Sequence, residues 1–480
     1  MLFNNKYEAV IGLEVHAQLQ TASKLFCGDS IAFGAEPNTH VSPITLGHPG
    51  TLPKTNKKAV EYAIKLGLAC NCEIEENNYF ARKNYFYPDL PKGYQISQHT
   101  TPICKGGFVK IKTSEGERNV QLNRIHMEED AGKSIHDRDD DFTCVDLNRA
   151  GTALVEIVTE PDLHSSEEAY QYVTELRRLV KWIGVCDGNM EEGSLRCDAN
   201  VSVRLKGEKK LGVKVEVKNL NSIRNVKKAI DFEIERMINI IENGGTITQQ
   251  TRSFDAGNDT TFSLRDKEEA NDYRYFPDPD LAPFHLTKDF IQQIRSSLPT
   301  LPNQLVHQYQ HEFGLSEYDA AQLCDEKHTA DFFQSTIQFT QHYKAVANWI
   351  TGPIRQYLHE HHLSFETILL TPKTLAELIK IVDDGKVNFS AASSRLLPLL
   401  MKENKSPLQL AEELNLLQVS DSNELEGWIN EAIVKMPDKV AEYKKGKKGL
   451  IRLFVGEVKK LSKGKADPKI VTALLQEKLK

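Results

Sequence analysis

Residues 10–19 read Val-Ile-Gly-Leu-Glu-Val-His-Ala-Gln-Leu, and this alternation decides the fold. On a strand, side chains alternate between two faces. Ile11, Leu13, Val15, Ala17 and Leu19 then share one face, while Val10, Gly12, Glu14, His16 and Gln18 share the other. One face is wholly apolar, and the other sets a carboxylate beside an imidazole. Such a strand belongs to a sheet covered on one side only. The same division recurs downstream. Within 122–129, Arg124, His126 and Glu128 lie together, with Glu129 and Asp130 where the strand ends. Within 195–205, Leu195, Cys197, Ala199, Val201, Val203 and Leu205 oppose Arg196, Asp198, Asn200, Ser202 and Arg204. Within 213–217 the valines point inward and leave Lys214, Glu216 and Lys218 together.

Between these alternating runs lie stretches with helical periodicity, at 57–68, 166–183 and 224–243. The last carries Ile230, Ile234, Ile238 and Ile241 at helical spacing. Strands and helices mixed in this way give an α+β domain over residues 1–290, closed by Pro277, Pro279 and Pro283. From there the pattern is helical only. An all-α domain is expected over 291–405, then a linker at Asn404-Lys405-Ser406-Pro407 and a small helical tail domain over 406–480.

The 480 residues carry a formal net charge of -7, which argues against coating nucleic acid by bulk charge. The average conceals a division. Residues 435–480 hold 14 Lys and Arg against five Asp and Glu, a net of +9, and the rest of the chain sums to -16. A basic tail of this kind is either a surface for an anionic partner or a solvated helical face. No apolar run approaches the ~18 residues of a membrane span, and the N-terminus lacks a signal-peptide core, so a cytoplasmic protein is expected. The eight cysteines form no CxxC pair, and reduced thiols are expected.

If the four strands are neighbours, Glu14, His16, Glu128, Asp198 and Glu216 converge on one acidic concave surface. Carboxylate clusters suit Mg²⁺, a hard cation that prefers oxygen ligands. Arg124, Arg204, Lys214 and Lys218, interleaved among them, could hold phosphate oxygens. A solvated sheet face with charges paired across strands fits the same pattern. Gly132-Lys133-Ser134 resembles the end of a P-loop, but the first glycine would have to be residue 127, which is Met. Residues 79–95, dense in aromatics, cations and turn formers, suit either base stacking or loop packing.

Several runs are long and specific: VIGLEVHAQL (10–19), FARKNYFYPDLPKGYQISQ (80–98), RIHMEEDAGKS (124–134), GSLRCDANVSVR (193–204), KVEVKNLNSIR (214–224) and DYRYFPDPDL (272–281). In this order they resemble the B chains of the aspartyl/glutamyl-tRNA amidotransferases, and the resemblance extends to KGKADPKIV at 463–471. The resemblance implies a mixed-sheet cradle domain, a helical domain and a helical tail. It implies a ligase, the ATP-dependent subunit of a three-subunit enzyme. ATP phosphorylates the side-chain carboxylate of misacylated Glu-tRNA(Gln) or Asp-tRNA(Asn). A glutaminase A subunit supplies ammonia, and a small C subunit wraps the pair. By the same resemblance Glu14, His16, Glu128, Glu129, Asp198 and Glu216 form the Mg²⁺ site, with Glu14, His16 and Glu128 catalytic. Arg82, Lys83, Arg204 and Lys218 are the expected ATP phosphate contacts. Lys444, Lys445, Lys447, Lys448, Lys459, Lys463 and Lys465 are expected to bind the tRNA backbone.

One departure stands out. Relatives with a zinc knuckle combine a cysteine with a CPxC pair, whereas here Cys27 remains and the pair reads Ser42-Pro43-Ile44-Thr45. No zinc is expected. A reading of a different class, a non-catalytic tRNA-binding scaffold, makes the acidic face structural.

Overall fold

The computed structural model describes residues 6–136, 138–139, 141–266, 273–418, 422–462 and 465–479. The chain forms two compact units, Met1–Leu301 and Pro302–Lys480.

The first unit is built on one large mixed sheet. Nine of its strands position the site: β1 (Tyr7–Gln18), β2 (Ala81–Asn84), β3 (Tyr94–Ser97), β4 (Gly116–Glu129), β5 (Ala153–Thr159), β6 (Leu195–Leu205), β7 (Val215–Leu220), β8 (Gln250–Asp255) and β9 (Thr260–Asp266). Their spatial order is β9-β8-β7-β6-β1-β5-β4-β3-β2. Every neighbouring pair is antiparallel except β7 and β8, which run parallel. A parallel pair needs a crossover, and helix α3 (Ile223–Glu242) supplies it.

The opening alternation is realised as read. Ile11, Leu13, Val15, Ala17 and Leu19 are fully buried, as are Ala199 and Val201 on β6 and Val155 and Ile157 on β5. Helices α1 (Lys57–Ala69), α2 (Ser166–Trp182) and α3 cover the apolar side, with α1 against β4 and β5 and α3 against β6. Each starts where a polar side chain caps free backbone N–H groups: Asn56 for α1, Ser165 for α2 and Ser222 for α3. The helix spans depart from the sequence reading by one residue at most at either end. The strand expected over 213–217 begins instead at Val215, and Val213 is exposed. Pairing with β6 reaches only as far as Val215, so the inward alternation starts there.

The second unit is helical, as expected. Its last stretch has a core of its own, formed by Leu425, Ile429, Phe454, Val458, Val471 and Leu475. All eight cysteines are free thiols. Among the described residues, no helix is long and apolar enough to cross a membrane.

Candidate active site

The face of the sheet away from the helices gathers the polar residues of five adjoining strands. Register fixes their neighbours. Glu14 on β1 lies opposite Asp198 on β6, and His16 lies opposite Arg196 on β6 and Glu156 on β5. Glu156 in turn faces His126 on β4, and Asn200 on β6 faces Glu216 on β7. The condition set by the sequence, that these strands be neighbours, is met.

Two carboxylate groups result. The first comprises His16, Glu128 and Glu156, whose ligand atoms all lie within 4.8 Å of one another. His126 Nε2 pairs with Glu156 Oε2 at 2.9 Å. Burial disfavours the charged imidazole, but the Glu156 and Glu128 carboxylates outweigh it and hold the His126 pKa up at about 9. Burial likewise opposes ionisation of Glu156, yet His126, His16 and Lys83 keep its pKa well below the usual carboxylate range. Glu128 is 5% exposed and has no short polar partner among the described residues. Its contacts are Ser97 Oγ at 3.4 Å, His16 Nε2 at 3.5 Å and His126 Nε2 at 3.6 Å. A buried carboxyl group with only long contacts leaves hydrogen-bonding capacity unmet unless something else completes its coordination.

The second group comprises Glu14, Asp198 and Glu216. Lys218 Nζ bridges it, at 2.5 Å from Asp198 Oδ2 and 3.3 Å from Glu216 Oε1. Thr251 Oγ1 donates to Glu216 Oε2 at 2.9 Å, and Asn200 Nδ2 donates to Glu14 Oε1 at 2.9 Å. The Asn200 Oδ1 atom is buried without a hydrogen-bond partner among the described residues. Burial, followed by the charges of Glu156, Glu216 and Asp198, raises the pKa of Glu14. Repulsion among carboxylates therefore persists despite Lys218.

Both sets fit a cation. An orphaned carbonyl oxygen, an under-coordinated buried carboxylate and mutually repelling acids are all relieved by positive charge. The second set offers oxygen only and suits Mg²⁺, while the imidazole in the first admits a borderline ion such as Mn²⁺.

Other expected residues are placed differently. Glu129 follows Glu128 on β4, so its carboxylate leaves by the opposite face. There it receives Lys92 Nζ at 2.5 and 2.6 Å and the Ile96 amide at 2.9 Å. Lys83 lies on β2 with its ammonium 4.8 Å from the Tyr273 ring, within electrostatic reach of Glu128 and Glu156. Its neighbour Arg82 is committed to Asp278 at 2.8 Å and Asp280 at 2.7 Å. Arg204 sits near the far end of β6, bound to Glu8 at 2.6 Å. It is six residues beyond Asp198, about 20 Å along a strand.

In the second unit, Lys444 ends the helix Pro437–Lys444 and Lys445 caps it. Lys447 pairs with Glu442 at 3.0 Å, and Lys448 stands 4.4 Å over the Tyr443 ring. Lys459 is exposed on the helix Ile451–Leu461, and Lys465 donates to Asn415 at 2.9 Å. Lys463 lies outside the described residues. At the departed zinc knuckle, Cys27 Sγ lies 3.3 Å from Thr45 Oγ1, which donates to Asp29 Oδ2 at 2.5 Å, and the Ser42 amide donates to the same oxygen at 2.8 Å. One thiol, one hydroxyl and one carboxylate thus stand hydrogen-bonded together where a zinc knuckle gathers thiolates.

Glu156 is the residue that sequence reasoning overlooked. The run Ala153–Thr159 is apolar apart from this carboxylate and its terminal threonine, and reading its faces as for β1 isolates Glu156.

Two family models match the chain: the "GatB/GatE catalytic domain" over residues 9–292 and the "GatB domain" over residues 331–479. Among curated proteins, the chain is similar to the B chain of the aspartyl/glutamyl-tRNA(Asn/Gln) amidotransferase of Geotalea daltonii, 50% identical over 477 residues and 99% of both chains. The protein of the same name from Persephonella marina is 49% identical over 476 residues, covering 99% of this chain and 100% of its own. That from Synechococcus elongatus is 46% identical over 485 residues, covering 99% and 98% respectively.

Proposed function

The chain belongs to the GatB/GatE family, the B chains of tRNA-dependent amidotransferases, and from that premise we propose that its acidic sheet face activates a tRNA-linked carboxylate with ATP. It is one subunit of a ligase that works as a complex. In this reading the substrates are misacylated Glu-tRNA(Gln) and Asp-tRNA(Asn). The partners are a glutaminase A subunit that releases ammonia and a small C subunit, in the cytoplasm. Residues 1–290 hold the site, 291–405 form a helical domain, and 406–480 carry the tRNA-facing lysines.

The chemistry follows from the substrate. Ammonia does not displace oxide from a carboxylate, so that oxygen must first become a leaving group. The side-chain carboxylate oxygen attacks the γ-phosphorus of ATP, the bond from that phosphorus to the β-bridging oxygen breaks, and its electron pair leaves with ADP. Ammonia then attacks the acyl carbon of the acyl phosphate. The carbon–oxygen bond breaks, and phosphate departs with a proton lost from nitrogen. Both steps ask chiefly for positioning and charge neutralisation.

Glu14, Asp198 and Glu216 would hold Mg²⁺, with His16, Glu128 and Glu156 as a second set. Bound there, a divalent cation supplies charge screening for the phosphoryl oxygens. His126 orients Glu156 through their 2.9 Å contact. Lys83 and Lys218 supply fixed positive charge on either flank of the groove. Arg82 and Arg204, engaged with acids elsewhere, act through packing.

One observation carries this reading: Glu128, buried and without a polar contact shorter than 3.4 Å among the described residues, faces His16 and Glu156. A purely structural sheet face, as in a tRNA-binding scaffold, has no need of such a group. The test is Glu128→Ala and Glu14→Ala in the reconstituted three-subunit enzyme. ATP hydrolysis and amide formation should fall by about 100-fold or more, while glutaminase activity and tRNA binding persist. Transamidation at the normal rate in either variant refutes the assignment.

A further inference from the structure

Arg196 stands between the two acid groups and belongs to neither. On β6 it is two residues before Asp198 on the same face, and it lies opposite His16 of β1. It is thus within electrostatic reach of Asp198 on one side and Glu128 on the other. Its one ion-pair contact among the described residues is with Asp130, NH2 to Oδ2 at 2.9 Å.

Asp130 itself is built into the end of β4. Its Oδ2 accepts from Gln18 Nε2 at 2.9 Å, its Oδ1 accepts from the Ala131 amide at 3.0 Å, and its own amide donates to Thr152 O at 2.8 Å. Arg149 also approaches that carboxylate, with Nε at 3.6 Å, while its guanidinium donates to the carbonyls of Ala131 and Gly132. One carboxylate thus faces two guanidinium groups. Arg149 spends its donors on those carbonyls, whereas Arg196 stands on the groove face of β6, beside Asp198 and opposite His16, with its Nη2 on Asp130.

We propose that Arg196 grips the phosphoryl group in transfer, and that Asp130 is the positioning residue that aims it. This rests on the ATP-site reading above. A phosphoryl group in transfer spreads its charge over three oxygens, and a guanidinium meets two of them with parallel N–H donors. Cations bound to the flanking carboxylates would cancel the acids on either side. Arg196 would then be the fixed positive charge between them.

The experiment measures single-turnover ADP formation by the reconstituted complex with misacylated tRNA, beside Mn²⁺ affinity by electron paramagnetic resonance. Arg196→Ala should slow ADP formation about 1,000-fold or more, in the range for loss of a phosphoryl-clamping arginine. Mn²⁺ affinity should stay near that of the unmodified protein, and millimolar guanidinium chloride should restore part of the rate. Arg196→Lys should recover little, because an ammonium has no fork. Asp130→Asn should lower kcat about tenfold at unchanged KM for ATP. A normal rate in Arg196→Ala, or loss of Mn²⁺ affinity together with activity and without rescue, overturns the proposal. Glu128→Gln is assayed in parallel. If it is inactive while Arg196→Ala is normal, only the role of Arg196 falls; if both are normal, the ATP-site reading falls as well.

Discussion

Glu128 and Glu129 are chemically alike and adjacent, and the structure assigns them opposite consequences. Glu129 is the buried half of an ion pair, with 3% of its side chain exposed against 12% for Lys92. Glu129→Gln keeps the shape but strands the Lys92 ammonium in a site nearly closed to water. Breaking one side of a buried pair costs about 3–5 kcal/mol. For a unit of some 300 residues, 1 kcal/mol shifts Tm by about 2 °C, so a fall of about 6–10 °C is expected. Mn²⁺ affinity should be unchanged, because the carboxylate points away from the groove. Glu128→Gln should do the reverse. Each of its contacts is 3.4 Å or longer, so the metal-free protein should lose about 1 kcal/mol at most. Mn²⁺ affinity should fall by about 100-fold, the upper end for removal of even an orienting group. The assay pairs thermal unfolding in EDTA with Mn²⁺ titration followed by electron paramagnetic resonance. Weakened Mn²⁺ binding at unchanged Tm in Glu129→Gln would refute the assignment of faces on β4.

Three further outcomes are expected. Lys218→Met removes the cation that Asp198 and Glu216 share, so Tm should fall by about 2–4 °C without Mg²⁺ and recover as Mg²⁺ is added; a deficit independent of Mg²⁺ argues against a cation site there. Metal analysis of protein purified without chelators should find no stoichiometric zinc at Cys27, and one tightly held zinc per chain would contradict the hydrogen-bonded Cys27–Thr45–Asp29 cluster as the site's native state. Replacing Lys444, Lys445, Lys447 and Lys448 by Gln should make the salt dependence of tRNA affinity shallower, by about 0.7–0.9 in logarithmic slope for each phosphate no longer neutralised. An unchanged slope removes these lysines from the tRNA surface.

Alternation along β1 and β6 told which residues share a face, and the helical periods placed α1, α2 and α3 to within a residue. Neither signal states which strands touch. That β5 lies between β1 and β4 is a matter of long-range pairing, and it is what brings Glu156 between His16 and His126. Glu156 was visible as one carboxylate in an apolar run, but its importance depends on that order. Glu129 shows the opposite limit. Motif resemblance grouped it with Glu128, while the two-residue period of a strand separates adjacent residues to opposite faces. Arg82 and Lys83 divide in the same way, one to Asp278 and Asp280 and the other toward the groove. Strand periodicity, applied residue by residue, corrects what a contiguous motif merges.

The charge distribution explains how the fold bears such a site. Five strands bring Glu14, Glu128, Glu156, Asp198 and Glu216 together, and burial, with the repulsion that remains, raises the pKa of Glu14. Partial relief comes from His126, Lys218 and Arg196, which sit among the acids without neutralising them all. The largely apolar reverse of β1, β5 and β6 supplies the burial that holds the strands in register against this repulsion. A face with unrelieved negative charge binds cations in the native state only, since the unfolded chain disperses the same groups. Cation binding and folding are therefore linked, and a divalent ion at 100 times its Kd adds about 2.7 kcal/mol. The same residual charge that makes the empty face less stable is what draws in the ions its chemistry uses.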